Sequence, residues 1–481
     1  MPRDEEASSW WLRGAWLFIA LAGVVYAAVA RLALHGFPYS GDEYSMLLQA
    51  ELFARALLHA PVPANAALFR VDHVILDDFV RSKYPPGASA LLAVGVRAGA
   101  AWLVTPIEGA LTLCLVWSTA RRELGVRAAF VSLVVLGAAP LFIFQAATFY
   151  SHTATTMWLA LAFAAVSMWT RSSRDGWLLL AGAAVGAAFV TRPVDALFFG
   201  IALFALRSWR VVGLVVIGAL TFAVLHFAYQ AAQFGSPFAD GYHAYEPTFV
   251  AIYGASTAVH PLSFRNLFSA EEQFHHLDLA RALVAEWTVA GSVVVALFGQ
   301  RALGPSHPAR RMRNVAVLLV LVTLVGLLPM VADPDDGARP RYLSTVLLSI
   351  AFLSGAGWLV VRDLLAIHLG PRLTRVVVVA ALVFVPVQIG AFFIQRLPLL
   401  WQREGLYRAV EKQGIKEGVV VIRARYPTRY ARNGAFFDRP VLYLSAPPEM
   451  RVEEVRARFP GRPIYVATEG PEWAIALRAA P

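Results

Sequence analysis

The sequence predicts an all-α polytopic membrane protein with about eleven transmembrane helices. It adds interfacial helices in the first external loop and a small C-terminal α/β domain. Three observations lead there. Of 481 residues, 58% are hydrophobic and 15% charged, against roughly 25% charged in a soluble domain. Apolar runs near the roughly 20 residues that cross a bilayer recur as far as residue 395. Arginines collect in the short turns between alternate runs, as cytoplasmic loops require.

The spans fall at 14–34, 105–120, 126–147, 152–170, 176–191, 193–207, 211–231, 282–300, 315–332, 342–361 and 375–395. The first is too long for a signal peptide and no small-residue cleavage site follows it, so it stays as a membrane helix. Segment 86–104 is also apolar, but Pro85-Pro86-Gly87 opens it and Arg97 interrupts it. If it does not cross, Arg121, Arg122, Arg127, Arg171, Arg174, Arg207 and Arg210 share the cytoplasm with the later arginine turns. If it crosses, all of them move outside. We therefore read 86–104 as a helix at the outer interface. The amino terminus is then cytoplasmic and the carboxyl terminus external.

This topology divides the chain into a membrane domain, 1–395, with external loops 35–104 and 232–281, and an extracytoplasmic domain, 396–481. The expected location is the inner (plasma) membrane, with the active site outside. In the tail, Val419-Val420-Val421-Ile422, Val441-Leu442-Tyr443-Leu444 and Ile464-Tyr465-Val466 read as strands, and 400–413 and 449–458 as helices. The tail holds 15 basic and 9 acidic residues. That balance suits anionic lipid headgroups or an anionic glycan, and equally plain solubility.

Several classes are excluded. A single cysteine, Cys114, removes disulfide scaffolds and zinc ribbons. There is no glycine-rich phosphate loop, and the basic residues sit in membrane turns, which gives nucleic acid no surface.

Tyr39-Ser40-Gly41-Asp42-Glu43-Tyr44 follows the first span and opens an amphipathic helix, 44–60. Its paired acids can cap that helix, with Asp42 as N-cap, ligate a divalent cation (Mg, Mn or Ca), or act as a base. Arg81-Ser82-Lys83-Tyr84-Pro85-Pro86-Gly87 closes the loop, and Lys83 beside a helix start suits a phosphate or simple interfacial anchoring. Phe149-Tyr150-Ser151-His152 opens a span, and Thr191-Arg192-Pro193-Val194-Asp195 joins two spans, its charges pairing or lining a cavity. Asp333-Pro334-Asp335-Asp336-Gly337-Ala338-Arg339-Pro340-Arg341-Tyr342 combines acids that invite a cation with arginines that suit an oxyanion. His243, His260, His275 and His276 lack metal-site spacing.

The order of these motifs, with Ala120-Arg121-Arg122-Glu123-Leu124-Gly125, Val190-Thr191-Arg192-Pro193 and Phe234-Gly235-Ser236-Pro237 between them, resembles the glycosyltransferase C superfamily. The chain is most similar to bacterial relatives of protein O-mannosyltransferases and lipid A aminoarabinose transferases, over about residues 10–395. The resemblance implies inverting transfer from a polyprenyl-phosphate-linked sugar donor to an envelope glycan, lipid or protein acceptor. It implies Asp42 as base or acceptor-orienting group, Glu43 as helper or metal ligand, and Lys83, Arg341 and Tyr342 as phosphate contacts. Tyr84, His152 and Arg192 are placed in the substrate cavity by topology. The alternatives are a transporter or flippase of lipid-linked sugars and a non-catalytic envelope assembly protein.

Overall fold

The computed structural model describes residues 2–253, 268–329, 339–447, 449–470 and 475–480. Each predicted span coincides with helix, although several are shorter or bent. The first is α1 (Pro2–Ala28), prolonged by a π-helical turn. The first loop follows, with α2 (Gly41–Ala54), β1 (Ala60–Pro61), β2 (Val74–Leu76), β3 (Phe79–Ser82) and α3 (Pro86–Arg97). Helix α2 stops at residue 54 rather than 60, where Ala56 takes a positive φ of 59°. The three strands form an antiparallel sheet in the order β1-β3-β2. At two to four residues each they are too short to leave a readable alternation.

Helices α4 (Val104–Leu124), α5 (Val126–Gly137), α6 (Pro140–Ala146), α7 (His152–Ser172), α8 (Gly176–Phe189), α9 (Pro193–Ala202) and α10 (Trp209–Phe234) follow. The predicted span 126–147 is a broken pair, α5 and α6, bent by 64°. Pro140 has no amide to continue the α5 ladder, so a new helix starts there. Then come α11 (Gly241–Tyr253), α12 (Ala270–Ala282), α13 (Ser292–Ala302) and α14 (Arg310–Leu327). The stretches 273–287 and 292–302 bend by 95° across Gly291, whose φ is +77°. By length and apolarity, five helices among the described residues can cross a bilayer, or seven if each bent pair is one span.

The last two predicted spans, 342–361 and 375–395, lie on α15 (Val346–Lys412), which is broken at one point by non-helical Gly370 before Pro371. Beyond that break the chain is helical to residue 412, so the boundary set at 395 falls inside a helix. Among the described residues four strands complete the tail: β4 (Gly418–Arg423), β5 (Val441–Leu444), β6 (Ile464–Glu469) and β7 (Ile475–Ala479), with α16 (Val452–Arg458). Their order is β5-β4-β6-β7, parallel except for β6–β7.

Two packing features position the site. The membrane helices share one large core around Tyr26, Trp117, Phe142 and Phe199. The tail packs on the first loop: Leu68 and Phe69 join the β4–β5 core, while Ala435 joins Tyr44, Leu48 and Val80. Tyr44 donates to the Asn433 carbonyl, Arg432 to that of Pro38, and Arg439 pairs with Glu51 at 3.0 Å. The helix that carries the acidic pair is thus clamped from the tail side.

Candidate active site

Helix α2 begins at a capping box, and this separates the two acids. Ser40, not Asp42, is the N-cap: its hydroxyl accepts the Glu43 amide at 3.1 Å. The Glu43 carboxylate turns back and accepts the amides of Tyr39 (3.1 Å) and Ser40 (3.0 Å) and the Ser40 hydroxyl (3.2 Å). Its other oxygen accepts the Phe149 amide at 3.0 Å. Glu43 is 1% exposed. Its acceptor capacity goes to tying the helix start to the chain before α7, which answers why a second acid stands beside Asp42.

Asp42 points the other way, with its side chain 18% exposed. One oxygen accepts the Tyr84 hydroxyl and the other lies 3.4 Å from the Arg341 guanidinium. Burial alone would raise this carboxyl. The charges of Arg341 and Lys83 and the Tyr84 hydrogen bond outweigh that and hold it well below the usual carboxylate range. Arg341 also reaches the Tyr342 hydroxyl at 3.3 Å and lies over the Tyr150 ring, 4.9 Å from its centroid.

Lys83 stands inside a cage of three tyrosine rings, Tyr84, Tyr242 and Tyr245, with centroids 4.9–5.2 Å from its ammonium. Burial pushes the amine down to about 8, with Asp42 and Asp72 opposing. Gly241 makes the cage possible: a Cβ there would lie 2.6 Å from the Lys83 carbonyl carbon. Arg81, the neighbouring cation of the motif, donates to the Gln233 carbonyl and to Asp77, so it is used in holding the loop.

Gly87 draws two sequence motifs together. Its amide donates to the Val190 carbonyl at 2.8 Å, and a Cβ would sit 2.9 Å from the Thr191 Cα. The Tyr-Pro-Pro-Gly turn therefore lies against the Thr-Arg-Pro turn. Arg192 pairs with Asp195 at 2.6 Å and also approaches the Tyr342 ring, 5.8 Å from its centroid. His152 is 2% exposed, neither ring nitrogen has a hydrogen-bond partner, and its ring contacts Tyr150 and Tyr342.

All the predicted site residues except Glu43 thus meet around Asp42. Sequence reasoning missed His73, which adopts a positive φ of 66° and contacts Tyr84 and Tyr245. Burial, with Lys83 nearby, pushes it down to about 4, so its ring is neutral at pH 7. A lone histidine between short strands gives no signal. Tyr242 and Tyr245, in the external loop 232–281, belong to no motif that would mark them.

The divalent-cation expectation does not fit these residues. No three His, Cys, Asp or Glu side chains converge among the described residues. Glu43 is already engaged by four donors, and one oxygen of Asp42 is taken by Tyr84 and the other faces Arg341. The turn with Asp333, Asp335 and Asp336, and His260, lie outside the described residues.

Comparisons with known proteins bear on the fold. A family model described as dolichyl-phosphate-mannose-protein mannosyltransferase matches residues 87–230. The fold is similar to the crystal structure of ArnT from Cupriavidus metallidurans bound to undecaprenyl phosphate. There the TM-score is 0.61 at 15% identity, covering 96% of this chain and 97% of that one. The apo state of the same protein gives 0.59 at 16% identity, with 98% of each chain covered. No curated protein sequence gives a significant match. The fold is thus shared with ArnT over nearly the whole chain, and the family model covers α3 to α10.

Proposed function

We propose that the chain transfers a sugar, with inversion, from a polyprenyl-phosphate donor to an acceptor hydroxyl on the extracytoplasmic face of the inner membrane. One observation carries the reading: a carboxylate lies 3.4 Å from a buried guanidinium, with Lys83 in its field. The undecaprenyl phosphate in the similar ArnT structure is consistent with a lipid-phosphate donor.

The chemistry follows from these charges. The donor phosphate engages Arg341, Lys83 and the Tyr342 hydroxyl, while Tyr84, Arg192 and His152 bound the site. With Arg341 drawn onto the phosphate, Asp42 loses its strongest counter-charge and becomes a better proton acceptor. The acceptor oxygen attacks the anomeric carbon from the face opposite the phosphate, and its proton passes to Asp42. The carbon–phosphate-oxygen bond breaks, its electron pair leaves on the phosphate, and the cations stabilise that charge. Neither step uses a nucleotide.

The test is transfer by purified protein, given a panel of radiolabelled polyprenyl-phosphate sugars and crude envelope acceptor. Product from wild type that collapses in Asp42→Asn supports the reading. A folded, lipid-binding protein that consumes none of the donors would point instead to a flippase.

A further inference from the structure

The tail's arginines are mostly spent on holding the fold. Arg408 pairs with Glu404, Arg439 with Glu51 and Arg451 with Glu454, while Arg403 donates to the Tyr39 carbonyl. Arg425 and Arg429 differ. Arg425 is exposed and Arg429 half-exposed. Both lie over one ring, Tyr426, at 5.3 and 4.5 Å from its centroid, and neither makes an ion pair with a described residue. The nearby acid, Glu469, accepts the Arg425 amide at 3.0 Å and the Tyr430 hydroxyl at 3.1 Å. It fixes the loop backbone rather than neutralising the guanidinium groups.

This loop also reaches the catalytic side of the molecule. The carbonyl of Thr428, between the two arginines, faces the Asp72 amide at 3.5 Å. The next residue, His73, has its ring against Tyr84, which donates to Asp42. Two guanidinium groups on a shared aromatic ring, paired with no described acid, therefore stand on a loop that touches the Asp72–His73 turn beside the site. Their planar forks suit a phosphate or carboxylate.

We propose that Arg425 and Arg429, held on Tyr426, form a docking site for an anionic group, a phosphomonoester or carboxylate, carried by the acceptor. The tail then selects the acceptor while the membrane domain holds the donor. The word acceptor rests on the transferase reading; the anion site itself does not.

The test uses the full chain in phosphatidylcholine nanodiscs at low salt, with undecaprenyl phosphate present to occupy the inner cations. The probes are a fluorescent sugar with and without a phosphomonoester. Wild type should bind the phosphorylated probe about tenfold more tightly than does the Arg425→Gln/Arg429→Gln double variant. The unphosphorylated probe should not distinguish the two proteins. Equal binding of the phosphorylated probe by both proteins overturns the proposal, as does a wild type that ignores the phosphate. A loss seen only in phosphatidylglycerol-rich nanodiscs also overturns it, by assigning the arginines to the bilayer surface. Turnover enters none of these comparisons, so a failure of the transferase reading leaves the result intact. Melting temperatures of the two proteins should match, since both substitutions lie at the surface.

Discussion

Replacing Glu43 should cost stability, and replacing Asp42 should cost turnover. The Glu43 carboxylate satisfies the amides of Tyr39, Ser40 and Phe149 at 3.0–3.1 Å in a place water does not reach. An unmet buried donor costs about 1–3 kcal/mol, so Glu43→Ala should lose roughly 3 kcal/mol even at the low end. Relief of the desolvated carboxyl, which burial raises, offsets part of that. In Asp42→Asn the carbonyl still accepts from Tyr84 but the charge facing Arg341 is lost, so the melting temperature should fall, while turnover falls about 100-fold or more. The assay pairs thermal unfolding in detergent, followed by tryptophan fluorescence, with single-turnover transfer. An unchanged melting temperature and abolished turnover in Glu43→Ala would give the chemistry to Glu43 and refute the division of roles.

Other expectations follow from the same geometry. The amine of Lys83, lowered to about 8, loses charge as pH rises through that value, so donor kcat/KM should fall on the alkaline side; Lys83→Arg should flatten that limb. Because the Asp42 carboxyl is held low, it stays ionised, and kcat/KM should show no acid limb from it between about pH 7 and 5. Its stabilising contribution is present above the ordinary carboxylate value and is lost as pH falls below it, which acid unfolding of wild type and Asp42→Asn would reveal. Gly87→Ala should destabilise by about 1–3 kcal/mol, since the new methyl meets the Thr191 backbone, and denaturant titration would show it. Ending the chain after Lys412 should uncover Tyr44, Leu48 and Phe69 and abolish transfer although Asp42 remains; transfer at the wild-type rate would show that the tail is dispensable to the site.

What the sequence made legible was what periodicity and charge record. Apolar runs marked the helices, and Val419, Val441 and Ile464 each opened a strand run that the structure contains. Asp42, Lys83 and Arg341 were marked by their motifs and by the family resemblance, and Arg192 because a charge near hydrocarbon needs a reason to be there. The roles within the acidic pair were not legible, because a capping box and a catalytic pair look alike until one carboxylate is seen to bind amides. Nor was His73, which is brought in by short strands that leave no periodic trace. The tyrosine cage depends on Gly241 meeting Lys83 from a distant loop, a relation no local pattern encodes.

The helix beyond Gly370 runs from the last membrane segment through Pro386 and Pro398 to Lys412, and a short turn, 413–417, leads from it into the tail sheet. Most connections between domains forgive a residue gained or lost. Here one inserted residue would turn the sheet by roughly 100° about the helix axis and advance it by about 1.5 Å. That would swing Asn433 and Arg432 away from the first loop. Length variation among relatives should therefore avoid 396–412 and gather in the tail's surface turns. Tags or reporter domains should likewise be tolerated after the last strand and not within this helix.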